Sequence, residues 1–418
     1  MPNTNPKQTN KPIRNSKMNL QTASAAIQDF MKSLNSAFMF RKEEIQILVL
    51  SLIIRKNACF VGSHGEAKSA LIEEFSKAID KKFFGCQFNR FTTPEEIVGH
   101  FSLAEMKNND QYIRKYQGKL PEAQISYLDE CFNASGAMLQ SLQKALNEKR
   151  IDLGNGTEIK IPMELAIAST NFHCSKNPQL AAFWDRFFFR IETKNTVTQL
   201  NESTFKKFLR LKRSGKLGKI NQKLSNSIIE FFRGAIESAT IPRHIDGKLY
   251  KIIQACRENK IVISARRLVW IDDALKASAV INGRTSVDES DLEILKNCLW
   301  IHIDQYDQVN SIVSKFSKTQ KRDLKIALVT LKDLRDNFFK YDNEINEEAK
   351  KPVTDSVRLA QSAENRNKAE QAIRAKIKEI KNSFSVPLDQ VDGDDEIKKL
   401  LVEIQGFENP HKSAAANY

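Results

Sequence analysis

Gly62-Ser63-His64-Gly65-Glu66-Ala67-Lys68-Ser69 is the stretch from which the rest of the chain is read. It follows the short apolar run Ala58-Cys59-Phe60-Val61 and precedes residues 67–78, whose apolar positions recur at helical spacing. A buried strand, a glycine-bearing turn and a helix in that order form the layout of a phosphate-binding loop. Two glycines let main-chain N–H groups curl around phosphate oxygens, and the following helix turns its positive end toward them. In that frame Gly62 to Ala67 make the cradle, Lys68 reaches the β- and γ-phosphates, and the Ser69 hydroxyl ligates Mg²⁺. The strict pattern is broken at Ala67, where a second glycine is usual, and a lone glycine turn between strand and helix also reads as a plain connector.

Further along, Ile125-Ser126-Tyr127-Leu128 is a mostly apolar run ending in Asp129-Glu130, 61 residues beyond Lys68. Carboxylates at the C-terminal end of a buried strand face the crevice in which open α/β sheets bind ligands. Asp129 is placed to hold a Mg²⁺ shell, and Glu130 to orient and polarise a water attacking the γ-phosphate. A third run, Leu165 to Ala168, leads through Ser169 and Thr170 to Asn171, an amide suited to that water or to the γ-phosphate, and equally an ordinary turn residue. Arg186 lies 15 residues later, within Phe183-Trp184-Asp185-Arg186-Phe187-Phe188-Phe189-Arg190. An arginine reaching into a neighbouring subunit's site stabilises transition-state charge, an effect worth about 10³ to 10⁵ in rate. The plainer reading has Arg186 and Arg190 packed on Trp184 or paired with local acids.

Composition narrows the field. The chain has 418 residues, 41% hydrophobic and 28% charged, enough for two or three packed domains. Its longest apolar run, Ile47 to Ile54 with Ser51 inside it, is too short for a membrane span, which needs about 20 apolar residues. Met1 to Met18, rich in Asn, Pro and Lys, reads as a disordered tail rather than an export signal. Six cysteines without a CxxC pair read as reduced thiols in a cytoplasm, and His173-Cys174 with Cys131 lacks the two close-spaced ligand pairs of a structural zinc. The net charge of +14 resides in the first 300 residues and suits nucleic acid, nucleotide phosphates or acidic proteins without choosing among them. The basic stretch Lys206 to Lys223, with Gly215 and Gly218, reads as an exposed connector, with nucleic-acid contact as the alternative.

Apolar runs at Phe83 to Phe88, Ile125 to Leu128 and Leu165 to Ala168, separated by helical or turn-rich stretches, predict an α/β fold with a parallel sheet covered on both faces. Helical patterns at Ser225 to Ser238, Gly247 to Glu258 and Ala265 to Val280 carry no strand-like alternation between them, and an all-helical domain is expected from about residue 196. Lys321 to Phe339 and Ser356 to Phe384 are long, charged and helical in pattern. The expected organisation is a tail over 1–20, an αβα core over 21–195, an all-helical domain over 196–305 and a C-terminal helical domain over 306–418.

Together these stretches resemble the MoxR branch of the AAA+ ATPases, and most closely its RavA subgroup. The similarity runs through Phe91-Thr92-Thr93-Pro94-Glu95-Glu96-Ile97-Val98-Gly99, Gly118-Lys119-Leu120-Pro121-Glu122-Ala123, Asn147-Glu148-Lys149-Arg150, Ser264-Ala265-Arg266-Arg267 and Leu295-Lys296-Asn297-Cys298-Leu299-Trp300, covering roughly residues 25–305. The resemblance implies a P-loop AAA+ αβα nucleotide-binding domain with an all-α lid, bearing Walker A and Walker B elements. It makes Ala67 a mark of the subgroup. It implies Mg²⁺-dependent ATP hydrolysis in a hexameric homo-oligomeric ring with ATP at subunit boundaries, Arg186 as the trans-acting finger and Arg266 as the lid arginine that senses the γ-phosphate. Arg190 and Arg267 stand close enough to share those roles. His100 to Gly118 matches an inserted hairpin facing the ring pore or a partner; His64 replaces a proline of the loop, and Glu66 adds an acid near phosphate. The expected companions are a protein client, remodelled or matured in chaperone fashion, and a partner with a von Willebrand factor A domain. The β-rich domain that RavA carries between its C-terminal helices has no strand pattern here. Two other readings remain: a nucleic-acid-directed motor or defence component, and a nucleotide-gated scaffold, which would need no full hydrolytic set.

Overall fold

A computed structural model describes residues 18–153, 156–171, 178–317, 320–350, 355–382 and 407. The expected N-terminal tail, most of the segment beyond 382, and His173 and Cys174 lie outside the described residues. The chain divides after Ser317 into two compact units.

The first unit opens with two helices. α1 (Leu20–Ala37) is capped by the Asn19 side chain, which accepts from the Thr22 N–H at 2.8 Å, and it buries Ala23, Ile27, Phe30 and Leu34 at three- and four-residue spacing. α2 (Lys42–Ile54) is buried all round from Ile47 onward, as its mostly apolar second half requires, and ends on Arg55 in the left-handed conformation. There follow β1 (Asn57–Val61), α3 (Lys68–Ala78), β2 (Phe83–Gln87), α4 (Pro94–Val98), β3 (His100–Phe101), α5 (Leu103–Asn109), β4 (Arg114–Lys115), β5 (Ile125–Asp129), α6 (Gly136–Glu148), β6 (Arg150–Asp152), β7 (Glu158–Lys160), β8 (Leu165–Thr170), α7 (Pro178–Trp184) and β9 (Phe187–Glu192).

Five of these strands form one parallel sheet in the order β2-β5-β8-β1-β9. The register aligns Asp129 with Ser169 and Thr170 with Val61, so the C-terminal ends of β5, β8 and β1 finish side by side. Ligands of open parallel sheets bind at that edge. Two short antiparallel hairpins are added: β3 with β4, which carries α5 between its strands within the stretch His100 to Gly118, and β6 with β7.

After the sheet come α8 (Glu202–Arg213), α9 (Asn226–Ser238), α10 (Arg243–Glu258), α11 (Ala265–Ile281) and α12 (Tyr306–Ser317). The lid helices are fastened to the core at several points. Arg233 donates to the Leu52 carbonyl at 2.9 Å and to Glu164 at 2.7 Å, and the Ser24 hydroxyl donates to the Ile281 carbonyl at 2.6 Å.

Three expectations are corrected. Lys206 to Lys223 is not wholly a connector, because its first half lies in α8, where an Asn201–Thr204 capping box starts the helix although no residue of it is buried. β9 was not expected: FFFRIE has no period-two alternation, since both its faces are covered and its first five residues are buried. The boundary expected at 305 falls inside the first unit, because Val309, Ile312 and Val313 of α12 belong to its core. The second unit pairs two long helices, α13 (Gln320–Ala349) and α14 (Ser356–Asn382), burying Leu331, Phe338 and Ile373 and pairing Arg366 with Asp342 at 3.0 Å. Among the described residues no helix is long and apolar enough to cross a membrane.

Candidate nucleotide site

Between β1 and α3 the loop Gly62 to Ala67 closes on special backbone geometry. A Cβ at Gly62 would stand 2.6 Å from the Thr193 carbonyl oxygen, so only glycine fits beside the neighbouring chain. Gly65 has φ +80°, and Ala67, at the head of α3, has φ 57°. Ala67 thus takes the left-handed conformation that glycine would adopt freely, at a cost of roughly 1–2 kcal/mol. The pattern departs in sequence and keeps its shape.

Lys68 is buried and folded over the loop, its Nζ donating to the Gly62 carbonyl at 2.6 Å and the Ser63 carbonyl at 3.1 Å. Burial lowers its pKa, while the nearby Asp129 and Glu130 carboxylates pull it back up. The Ser69 hydroxyl donates to the Tyr127 hydroxyl at 3.2 Å, and Tyr127 donates in turn to Asp129 Oδ1 at 3.0 Å. Ser169, 2.9 Å from the same phenol oxygen, also donates to Asp129 Oδ1. Tyr127 and Asp129 are two residues apart on β5 and therefore share a face. Burial raises the Tyr127 pKa, so the phenol stays a donor. Tyr127 and Ser169 were not among the expected site residues; the available signal was a hydroxyl in the middle of β5 and another near the end of β8, in otherwise mostly apolar strands.

These oxygens suit a hard cation. Mg²⁺ takes few protein ligands, retains waters and shares phosphate oxygens, and the residues present offer one hydroxyl, Ser69, and one carboxylate, Asp129, tied through a single phenol. Among the described residues no group of three or more His, Cys, Asp or Glu could hold a metal by itself.

Glu130 follows in the left-handed conformation, φ 52°, with its N–H donating to the Ser169 carbonyl at 2.9 Å. Its carboxylate is nearly enclosed, and burial raises its pKa against the lowering effect of a hydrogen bond from the Asn171 main chain. His64 Nδ1 lies 4.0 Å from Glu130 Oε1, and His64 Nε2 lies 2.6 Å from Asn171 Nδ2. The structure therefore gathers the loop, Lys68, Ser69, Asp129, Glu130 and Asn171 at one end of the sheet.

Glu66 is turned away from the loop's open side. Its carboxylate pairs with Arg41 and accepts from the Thr196 N–H at 2.9 Å and the Thr196 hydroxyl at 2.6 Å. Glu66, expected as an acid near phosphate, has its charge buried and neutralised inside the protein.

The arginines sit elsewhere. β9 runs parallel to β1 with Phe187 opposite Asn57, so Arg186 stands at the other end of the sheet from Gly62, roughly 17 Å away along a five-residue strand. Asp185 is the hub there: Arg266 Nη1 reaches its carboxylate at 2.9 Å, Arg267 Nε at 3.2 Å and Arg190 Nη2 at 3.9 Å. Arg190 and Arg267 are wholly enclosed. Arg190 donates to the Trp300 and Trp184 carbonyls at 2.5 and 3.1 Å, and Arg267 to the Phe187 and Phe188 carbonyls at 2.7 and 2.8 Å and to that of Cys298. Neither can reach a neighbouring subunit, so the expectation that Arg190 shares the finger role is corrected. Arg186 is half-buried, with its Nε making no hydrogen bond among the described residues, and the Arg266 side chain is 40% exposed. Arg266 is not at the phosphate loop of its own chain.

Comparison with known proteins bears on the fold and family. Residues 25–227 match the MoxR domain of the MoxR-vWA-beta-propeller ternary systems, and residues 244–313 match an AAA lid domain. An uncharacterized protein of Methanocaldococcus jannaschii is 29% identical over 382 residues, 91% of this chain and 96% of that protein. A second uncharacterized protein of that organism is 32% identical over 292 residues, 70% of this chain and 76% of that protein. The crystal structure of a proposed ATPase from Cytophaga hutchinsonii superposes with a TM-score of 0.57 at 17% identity, over 71% of this chain and 94% of that one.

Proposed function

Since the chain belongs to the MoxR family of AAA+ ATPases, we propose that it is a Mg²⁺-dependent ATP phosphohydrolase that works as a ring, hexameric as the resemblance to the RavA subgroup implies, and remodels or matures protein clients. The observation that carries the reading is the convergence of Lys68, Ser69, Asp129, Glu130 and Asn171 where β1, β5 and β8 end in register. A bound Mg²⁺ ion would supply Lewis-acid stabilisation of phosphate charge. Ser69 and Asp129 would hold it, loop N–H groups and Lys68 would grip the β- and γ-phosphates, Glu130 would take the proton of the attacking water, and Asn171 would orient that water.

A ring is supported by the separation within one chain. Arg186 and Arg266 stand at the opposite end of the sheet from the loop, so they serve a phosphate held by a neighbour. A partner with a von Willebrand factor A domain is supported by the system whose MoxR domain the chain matches. Ala67, in the shape glycine would take, supports a RavA-like placement. Cysteines that stand as thiols, four of the five described being buried, suit a reducing cytoplasm.

A second reading, a nucleic-acid-directed motor, is favoured by one feature: residues 203–223 hold eight basic side chains and no acid, and no residue of α8 is buried. DNA or RNA binding that falls steeply with salt and raises turnover would favour it. The deciding experiment is ATPase activity with solution mass, with and without Mg-ATP, on wild type and Glu130→Gln. Nucleotide-dependent rings whose turnover requires Glu130 support the machine; a monomer without turnover refutes it in favour of a scaffold.

A further inference from the structure

The imidazole of His64 lies between the Glu130 carboxylate and the side-chain amide of Asn171, whose main chain bonds Glu130 directly. Asn171 Nδ2 stands 2.6 Å from His64 Nε2. With the Asn171 amide placed NH₂-first, it donates and Nε2 is the acceptor. Nδ1 faces Glu130 Oε1 at 4.0 Å, while Asn133 Nδ2 approaches the other carboxylate oxygen at 3.5 Å. Asn171 is exposed and follows the last residue of β8. One of its two amide protons goes to His64, leaving the second proton and Oδ1 for a water or a phosphate oxygen.

We propose that His64 is a positioning residue for the hydrolytic step. Through its ring, the loop that grips phosphate also sets the direction of Asn171 and the surroundings of Glu130, so the groups that orient the water are held to the groups that hold the γ-phosphate. This rests on the ATP-hydrolysis reading and deepens it. The role belongs to the ring rather than to the loop's path, because the left-handed turns that shape the loop lie at Gly65 and Ala67 and not at His64. The His64 side chain is 69% exposed, so truncating it removes no core. A near-attack geometry is sensitive to misdirection of this kind, and losing one orienting hydrogen bond is expected to cost about tenfold in turnover.

The test is a double-mutant cycle on the full chain, with steady-state turnover and Mg-ATP affinity measured separately for wild type, His64→Ala, Asn171→Ala and the double variant. His64→Ala should lose about tenfold in kcat with Mg-ATP affinity within about twofold of wild type. The double variant should turn over no more than about twofold more slowly than Asn171→Ala, the non-additivity expected of groups acting through one contact. His64→Gln, whose amide oxygen can accept from Asn171, should recover part of the loss. Weakened nucleotide affinity at unchanged kcat would make His64 a phosphate ligand and overturn the proposal, and fully additive losses would overturn it equally. Wild-type turnover with His64→Ala unaffected sinks the role of His64 alone, whereas absent turnover in wild type sinks the ATPase reading and this proposal with it.

Discussion

Replacing Arg41 by Met tests whether Glu66, an acid within the phosphate loop, serves the fold. Arg41 is 2% exposed. Its guanidinium pairs with the Glu66 carboxylate and donates to the Glu66 carbonyl at 3.1 Å, the Lys194 carbonyl at 2.9 Å and the Thr196 hydroxyl at 2.8 Å. Met fills similar volume but strands a buried carboxylate and the carbonyls of Phe40, Glu66 and Lys194. Breaking a buried pair from one side costs about 3–5 kcal/mol, against about 0–1 kcal/mol for an exposed pair, so the size of the loss separates the two readings. The pH dependence has a sign. Burial pushes the Glu66 carboxyl up, but hydrogen bonds from Thr196 and the charge of Arg41 together hold it below its ordinary value of 4.5. A depressed carboxyl contributes stability that is present above the unfolded pKa and lost as pH falls through the folded one. The deficit of Arg41→Met should therefore be full at pH 7.5 and shrink on acidification, as the stranded Glu66 carboxyl takes up its proton in the variant before it does so in the wild type. Glu44, 3.6 Å from Arg41, acts in the same direction, because its carboxyl is already pushed up to about 7 by burial and is neutral in acid. Urea unfolding followed by tryptophan fluorescence measures this directly, since Trp184, Trp270 and Trp300 all lie in the first unit. A loss under about 1 kcal/mol at pH 7.5, as for a surface pair, or a deficit unchanged down to pH 3.5, would refute the argument.

Glu130→Gln should bind Mg-ATP and lose about 10²- to 10⁴-fold in turnover; retention of more than a tenth of wild-type activity would remove Glu130 from the role of base. Arg186→Ala should keep nucleotide affinity and lose about 10³-fold or more in turnover. Mixed with Glu130→Gln protein, its activity should depart from the average of the two, and simple averaging would argue against a site shared between subunits. Because burial raises the Glu44 carboxyl to about 7, the folded chain keeps a proton that the unfolded chain gives up. Wild-type stability should fall by up to about 3 kcal/mol as pH rises from 4.5 to 7. Glu44→Gln should lack that slope in urea midpoints at pH 5 and 8.

The central strands were legible because each is an apolar run ending in residues that carry chemistry: Val61 before the loop, Leu128 before Asp129, Ala168 before Ser169 to Asn171. Those endings place the ligand edge without knowledge of the sheet order. β9 was not legible, since a strand covered on both faces shows no alternation and its aromatic run reads equally as packing. The direction of Glu66 was hidden for a different reason: Arg41 and Thr196, which turn it inward, lie 25 and 130 residues away. The same holds within the arginine pairs, where neighbours in sequence separate into enclosed and surface-reaching side chains only after β9 and α11 pack together.

That packing also limits how nucleotide chemistry can move the lid. Arg267 starts α11 and is sealed beneath it, bonded to carbonyls of β9 and of Cys298, while Arg190 of β9 reaches the Trp300 carbonyl. Prising β9 from α11 would leave a buried guanidinium unpaired, at a cost of about 3–5 kcal/mol for each. β9, α11 and the segment reaching Trp300 should therefore shift as one body, carrying Arg186 and Arg266 together rather than moving one against the other. The compliant connection is the covalent one, residues 195–201, which lead to α8 without burying a side chain. Thr196 sits at its start and is held by Glu66 of the phosphate loop. A displacement of Glu66 would therefore reach the chain first at Thr196, on the connection that leads to α8.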